Sequence, residues 1–412
     1  MISQSHRRNL VVLLVATALF NDMLQLTMLL PIIHTLVSSP PPLGVTNNKE
    51  VALGLFFASK DVCQMLSAPF AGVLCSKFSP HMALTSSILG LGVATFVFAE
   101  ATTFWQLLLA RGAQGAASAA VMCGGLSFLA ETHPKNIRGK AMGLAQSGLA
   151  LGMLCGPLIG GLLFEQLGRR NTFRCAAGMV LANAIAMMLL MKVAPPESNR
   201  DVFERETMSD VEVEAKGQLS LAKSSKQLLR NFDILAVTAS TFVIHAVVGV
   251  IKPLSQVVLD KEFGVTMVKR SFIISIATLA YFIAAPSAGI LSDHMSRSHL
   301  VALSLVLMSG SSLFFALRHL GLWAFYVSVA LLGIAMGVQK SSSQSLLADL
   351  VDKHGLGEYS MVYALSDVAD SLGLIIGPVV GLALSQMYGP SVGVLSIGIL
   401  CLLLAPAMMR IA

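Results

Sequence analysis

The sequence predicts an all-α membrane protein of twelve transmembrane helices arranged as two six-helix halves. Three observations carry this reading. Apolar residues make up 55% of the 412-residue chain and charged residues only 12%, against about 25% charged in soluble domains. Twelve apolar segments can be drawn, each near the roughly 20 residues that a spanning helix needs. Finally, GMLCGPLIGGLLFEQLG (Gly152 to Gly168) returns as GLIIGPVVGLALSQMYG (Gly373 to Gly389), 221 residues later, and GVLCSKFSPH (Gly72 to His81) has a weaker echo in GILSDHMSRS (Gly289 to Ser298) at an offset of 217. Nearly equal offsets along the whole chain mean two parallel halves rather than a solenoid of short repeats.

In order, the first segment (10–37) carries Asp22 within LFNDMLQLTMLLP, and the second (51–74) carries Lys60. The third (82–101) is apolar up to Glu100, and the fourth (104–130) holds Arg111 and Gln114. The fifth (141–164) spaces Gly148, Gly152, Gly156 and Gly160 four apart, a smooth stripe that another helix can approach closely. Pro157 within it removes a backbone bond and adds a bend. After the sixth (173–191) comes the polar stretch 192–232 with PPESNRDVFERETMSD, whose composition reads as a linker. The seventh (234–258) contains His245 and Lys252, and the eighth (271–291) Tyr281. The ninth (299–317) precedes a tenth (322–350) with Lys340 and the run Ser341 to Gln344. The eleventh (359–386) carries Asp367, Asp370 and the pair Gly377–Pro378, and the twelfth is 391–411. The expected division is an N-terminal bundle over 1–191, a cytoplasmic linker over 192–232 and a C-terminal bundle over 233–412.

With the N-terminus in the cytoplasm, sixteen of the 28 Lys and Arg fall on the cytoplasmic side, eight on the other and four inside segments. This bias places both termini in the cytoplasm. The net charge of +6 sits mostly in short loops, so it reads as topology rather than nucleic-acid binding. The six cysteines form neither CxxC nor a Cys/His cluster, so no metal site or disulfide framework is indicated. Without a phosphate loop or nucleophile–base arrangement, an enzyme is not expected. The first apolar run is too long for a cleavable signal.

An ionised group inside a spanning segment is costly unless it faces a protein interior or water. Asp22 therefore either locks one helix to another or titrates within a path through the bundle. Arg111 either faces the interior with Gln114 beside it or snorkels to the interface. His245 either titrates near neutral pH or is a satisfied hydrogen-bonding group. Ser341 and Gln344 either serve a polar ligand or let helices pack closely.

Together these elements resemble the major facilitator superfamily over essentially the whole chain. Arg111 with Gln114 and Gly115 is similar to its fourth-helix signature, and Gly152, Gly156 and Pro157 resemble the fifth-helix signature of its proton-linked antiporters. Its loop pattern is present in the second half as Gly289, Asp293 and Arg297, while in the first half Ser76 stands where the aspartate belongs. A narrower resemblance is to the vesicular amine transporters, the branch that loads monoamines or acetylcholine into vesicles. DMLQLTMLLPII (from Asp22), GLFFASKDVCQML (from Gly54) and VYALSDVADSLGLIIGP (from Val362) are similar to its first, second and eleventh helices. The resemblance implies that Asp22 is the amine-linked aspartate and that Lys60 pairs with Asp367 across a central cavity, either as a permanent lock or as a pair that breaks during transport. Phe57 and Tyr281 fall at further positions of interest in the branch.

Departures from the branch bear on substrate. Lys252 stands before Pro253 where monoamine carriers have an acidic residue, Lys340 replaces an aspartate, and Asp370 is added one turn beyond Asp367. Asp22, Asp367 and Asp370 against Lys60, Lys252 and Lys340 leave a near-neutral set, whereas a cation carrier's pocket favours positive ligands.

The expected function is secondary active transport: proton-coupled antiport of a small organic amine or related solute by alternating access. Asp22 or the Asp367–Asp370 group would titrate, and Arg111 would keep a carboxylate such as Asp22 charged. One rival is a carrier of zwitterionic or anionic organic solutes; another is a transporter-like sensor or assembly partner that moves nothing. Expected partners are a small solute, protons and the lipid bilayer, with no cofactor, metal or nucleic acid, and the chain is expected to be monomeric. The branch implies a secretory or synaptic-type vesicle membrane, although a chain ending at Ala412, just past its last helix, reads as a divergent or truncated member.

Overall fold

The computed structural model describes residues 4–29, 32, 49–193, 228, 230–355 and 359–411. Among them the helices are α1 (Gln4–Met28), α2 (Lys49–Lys77), α3 (Pro80–Glu100), α4 (Phe104–Thr132), α5 (Lys135–Val193), α6 (Phe232–Lys261), α7 (Met267–His294), α8 (Arg297–Ala316), α9 (Leu322–His354), α10 (Tyr359–Tyr388) and α11 (Pro390–Met409), with a 3₁₀ turn at Leu317–Leu320. Eleven helices make twelve spans, because α5 is 59 residues long and is broken at Gly168, where φ is 69°. Glycine adopts that left-handed conformation without steric cost, so the turn between the fifth and sixth segments is one residue in otherwise continuous helix. Ten helices, α5 counted once, are long and apolar enough to cross a membrane; α2, with Lys60 and Asp61 at its middle, joins them in length.

α1 starts six residues before the apolar run, and Arg8 Nε donates to the Thr132 carbonyl at 3.1 Å, which ties this polar turn to the end of α4. The predicted stretch 33–37, the loop 38–48 and most of the linker 192–232 lie outside the described residues.

By contacts the chain forms two compact units whose borders run inside α5 and α10. The first comprises Met1–His133, Gly148–Leu221 and Glu358–Val368. Within it the glycine stripe of α5 is where α1 rests: a Cβ on Gly148, Gly152 or Gly160 would collide with the carbonyls of Ala16, Phe20 or Met28, and one on Gly156 with the Thr27 hydroxyl. Close approach replaces side-chain burial as the source of packing between such helices. α2 meets α4 at Gly115, whose Cβ would strike the Lys60 carbonyl. An aromatic cluster of Phe56, Phe98, Phe104 and Phe173 fills one end of the unit, with Phe98 and Phe173 edge to face at 4.7 Å.

The second unit comprises Pro134–Ser147, Ala222–Gly357 and Ala369–Ala412. Its helices cross at Gly333 and Gly337 (α9 on α7) and at Gly373 and Gly377 (α10 on α6, against Phe242 and Ala246). The duplication is visible in the packing. In the second unit Gly139 and Gly143 of α5 lie against Gly289 of α7; in the first, Ser360 and Ala364 of α10, each 221 residues further on, lie against Gly72 of α2. Each half donates its corresponding segment to the same kind of crossing.

Candidate functional site

In the first unit the central feature is a buried charge pair. Asp22 of α1 and Lys60 of α2 are 1% and 2% exposed, with Nζ 3.4 Å from Oδ1. Ser118 of α4 donates to the other carboxylate oxygen at 2.5 Å. Breaking such a pair on one side strands a charge in a low dielectric. Next to it, Arg111 Nη1 donates to Gln114 Oε1 at 2.9 Å, Gln114 Nε2 donates to Thr95 Oγ1 at 3.0 Å, and Thr95 also bonds Gln25. Arg111 is 2% exposed, and its Nε and Nη2 have no hydrogen-bond partner among the described residues.

The partner of Lys60 in this structure differs from the expected one. Lys60 is held by Asp22, not Asp367; Asp367 instead receives Gln64 Nε2 at 2.9 Å. Lys60 and Gln64 are four apart on one face of α2, and the α10 carboxylate stands level with the glutamine, one turn along. Arg111 donates its side-chain hydrogen bond to the glutamine three residues on in its own helix, with Asp61 and Asp22 within electrostatic reach, while Lys60 is the cation paired with the aspartate. Gln25, Gln64, Thr95 and Ser118 escaped the sequence reading. Helical spacing pointed to Gln25, three beyond Asp22, and to Ser118, four beyond Gln114; nothing in the sequence marked Thr95.

In the second unit Lys340 of α9 forms an ion pair with Asp370 of α10, and His245 Nδ1 of α6 lies 3.2 Å from the other Asp370 oxygen. Tyr281 is buried and donates to Gln146 Oε1 at 3.1 Å. Beside Lys340, Gln339 ties three helices together, accepting from Ser304 at 2.5 Å and donating to Ser240 at 2.9 Å. Lys252 is half-buried, Gln344 is buried, and the side chain of Phe57 lies outside the described set. Ser341 lies at a helix crossing, its Oγ 3.0 Å from where a Cβ on either Gly143 or Gly289 would sit, and that hydroxyl has no hydrogen-bond partner among the described residues. Pro378 of α10 packs against Gly249 of α6.

The loop pattern of the second half assembles as one set. Asp293 accepts the backbone N–H groups of Gly139 and Lys140, each at 2.8 Å. Arg297 donates to Asp293, to Asp349 at 2.6 Å and to the Lys135 carbonyl at 2.6 Å, while Arg138 reaches Asp349 and Asp352. Lys135, Asp293, Arg297, Asp349 and Asp352 border a pocket of about 770 Å³. In the first half, Ser76 donates to the Val73 carbonyl of its own helix at 2.9 Å. Asp293→Asn can satisfy at most one of the two N–H groups with its single oxygen, and a charged hydrogen bond contributes about 1.5–3 kcal/mol. The variant is expected to lose that much stability, read as a lowered unfolding midpoint in detergent. No group of three or more His, Cys, Asp or Glu suited to a metal occurs among the described residues.

Paired helical crossings and buried intramembrane ions define a multi-pass membrane protein of the transporter class. The family model of the Major Facilitator Superfamily matches residues 11–251 and 237–411, and the chain belongs to that family. It is 29% identical over 366 residues to the human synaptic vesicular amine transporter, an alignment covering 87% of this chain and 66% of that protein. It is 26% identical over 358 residues to the multidrug resistance protein MdtG of Serratia proteamaculans, covering 84% of this chain and 81% of that one. The chain thus spans somewhat under two thirds of the length of its vesicular relatives. In fold it matches the proton:xylose symporter XylE with a TM-score of 0.78 at 14% identity, over 99% of this chain and 96% of that one.

Proposed function

We propose that the protein is a secondary active carrier that exchanges protons for a small organic amine or related solute by alternating access. The observation that carries this reading is Asp22, a 1%-exposed carboxylate in a spanning helix held by one lysine and one serine. Protonation cancels its attraction for Lys60 and removes the reason for that helix contact. A solute ammonium competes with Lys60 for the same oxygens when the carboxylate is charged. Proton and amine are therefore alternative occupants of one group, which is the requirement for exchange. Vesicular amine transporters among the relatives support the same substrate class. The site of action is a vesicle-type membrane, with both chain ends cytoplasmic.

The test is uptake of labelled amines into proteoliposomes holding the full chain, with the interior acidified. Uptake that a protonophore abolishes is expected; the absence of gradient-driven uptake across a broad amine panel overturns the reading. A second reading, transport of zwitterions or organic anions, is favoured by Arg111, whose two unpartnered nitrogens a solute carboxylate would satisfy. Competition separates them: inhibition by anionic solutes alone selects the second.

A further inference from the structure

We propose that His245 is a proton-accepting site of the second unit, with Nε2 as the atom that takes the proton, the Thr241 carbonyl as its orienting partner, Asp370 as the adjacent counter-charge and Lys340 as the cation released from that carboxylate. The inference deepens the proton-coupled reading and rests on it only for what the bound proton drives.

The placement follows from a helix crossing. α10 lies on α6 at Gly373, where a Cβ would meet the Phe242 carbonyl at 2.5 Å and the His245 Cβ at 2.8 Å. That contact sets Asp370, one turn earlier, beside the imidazole. His245 Nδ1 is 2.8 Å from the Thr241 carbonyl and 3.2 Å from Asp370 Oδ1. Both neighbours are acceptors, so Nδ1 carries a hydrogen whether the ring is neutral or charged. The lone pair of the neutral ring is therefore on Nε2; the Thr241 carbonyl fixes the far nitrogen, and Asp370 stands beside it as a charge without a hydrogen bond to the ring.

Around the ring, Asp370 faces it from α10, Lys340 from α9 and Lys252 from its own helix, while Tyr281 of α7 stands within electrostatic reach of Asp370. With the ring neutral, Asp370 and Lys340 balance. A proton arriving from water on Nε2 makes an imidazolium that competes with the Lys340 ammonium for the same carboxylate. Protonation thereby loosens the α9–α10 ion pair, in a unit that contains neither Asp22 nor Lys60.

The test is a pH titration, from 5 to 8.5, of the ¹⁵N-histidine spectrum of the full chain in nanodiscs, with His245→Asn identifying the signal. The expected spectrum shows the Nδ1–H form at high pH and a doubly protonated ring at low pH. Lys340→Met removes a neighbouring cation and should raise the midpoint, and Asp370→Asn should lower it, each by about one unit or more. A ring that stays unprotonated throughout, an Nε2–H form, or midpoints indifferent to both substitutions overturns the proposal. Failure of the transport reading is distinct: the ring would titrate as described while acidified liposomes take up no amine. Size-exclusion profiles matching the unsubstituted chain show that each variant is folded.

Discussion

Lys60→Met is expected to destabilise the protein by about 3–5 kcal/mol, the cost of stranding a buried charge, and to abolish gradient-driven uptake. Asp22 would keep one hydrogen bond, from Ser118, but lose the cation 3.4 Å away. The carboxylate would then be held protonated, or its helix would shift to find water. The double variant Asp22→Asn/Lys60→Met removes both charges and leaves an amide that still accepts from Ser118. It should recover most of the lost stability, because replacing both members of a buried pair by neutral groups is often close to neutral. It should not recover proton-driven uptake. Thermal unfolding in detergent and uptake into acidified liposomes read the two effects separately. Uptake by the double variant at the unsubstituted rate would remove Asp22 from the coupling mechanism.

Gly115→Val should produce the second large effect by moving that same lysine. A Cβ at this position collides with the carbonyl oxygen of Lys60 and lies 3.0 Å from its carbonyl carbon and 3.1 Å from its Cα. The obstacle is backbone, so no rotamer change relieves it and α2 has to move away from α4. Overpacking of this kind costs about 1–3 kcal/mol. The displaced Lys60 stem no longer meets Asp22, and the rate of exchange should fall by about tenfold or more, since small misplacements of working groups cost rates of that order. Gly161→Ala on α5 is the control. No atom lies within 4 Å of its Cβ, so its stability should change by less than about 0.5 kcal/mol.

Much of the candidate site is legible in the sequence. Asp22, Lys60, Arg111, Lys340 and Asp370 stand out because charges are scarce in apolar runs, and each proves to be buried. The stripe Gly148 to Gly160 was read as a surface for a neighbouring helix, and α1 lies along it. Partnership was harder. Lys60 was assigned to Asp367 by resemblance, yet its stem ends at Asp22, while Gln64 takes the α10 carboxylate. The serine run leaves two readings open, and only the fold places Ser341 at the crossing of Gly143 with Gly289. His245 looked like a lone histidine because its carboxylate is 125 residues away along the chain.

The sequence by itself determined that this is a membrane protein with twelve spans and a duplicated architecture. A bilayer imposes length and apolarity on every span, and those are local properties that each segment displays alone. It also placed the intramembrane ions, since their helical faces follow from spacing within one helix. The tertiary structure decided which ion meets which. That depends on the axial level at which two helices cross, and here the levels are set by close backbone approaches: Gly115 on Lys60, and Gly373 on the turn of α6 that carries His245. A glycine in the sequence says that a helix can come near; only the fold shows which helix does, and at what height.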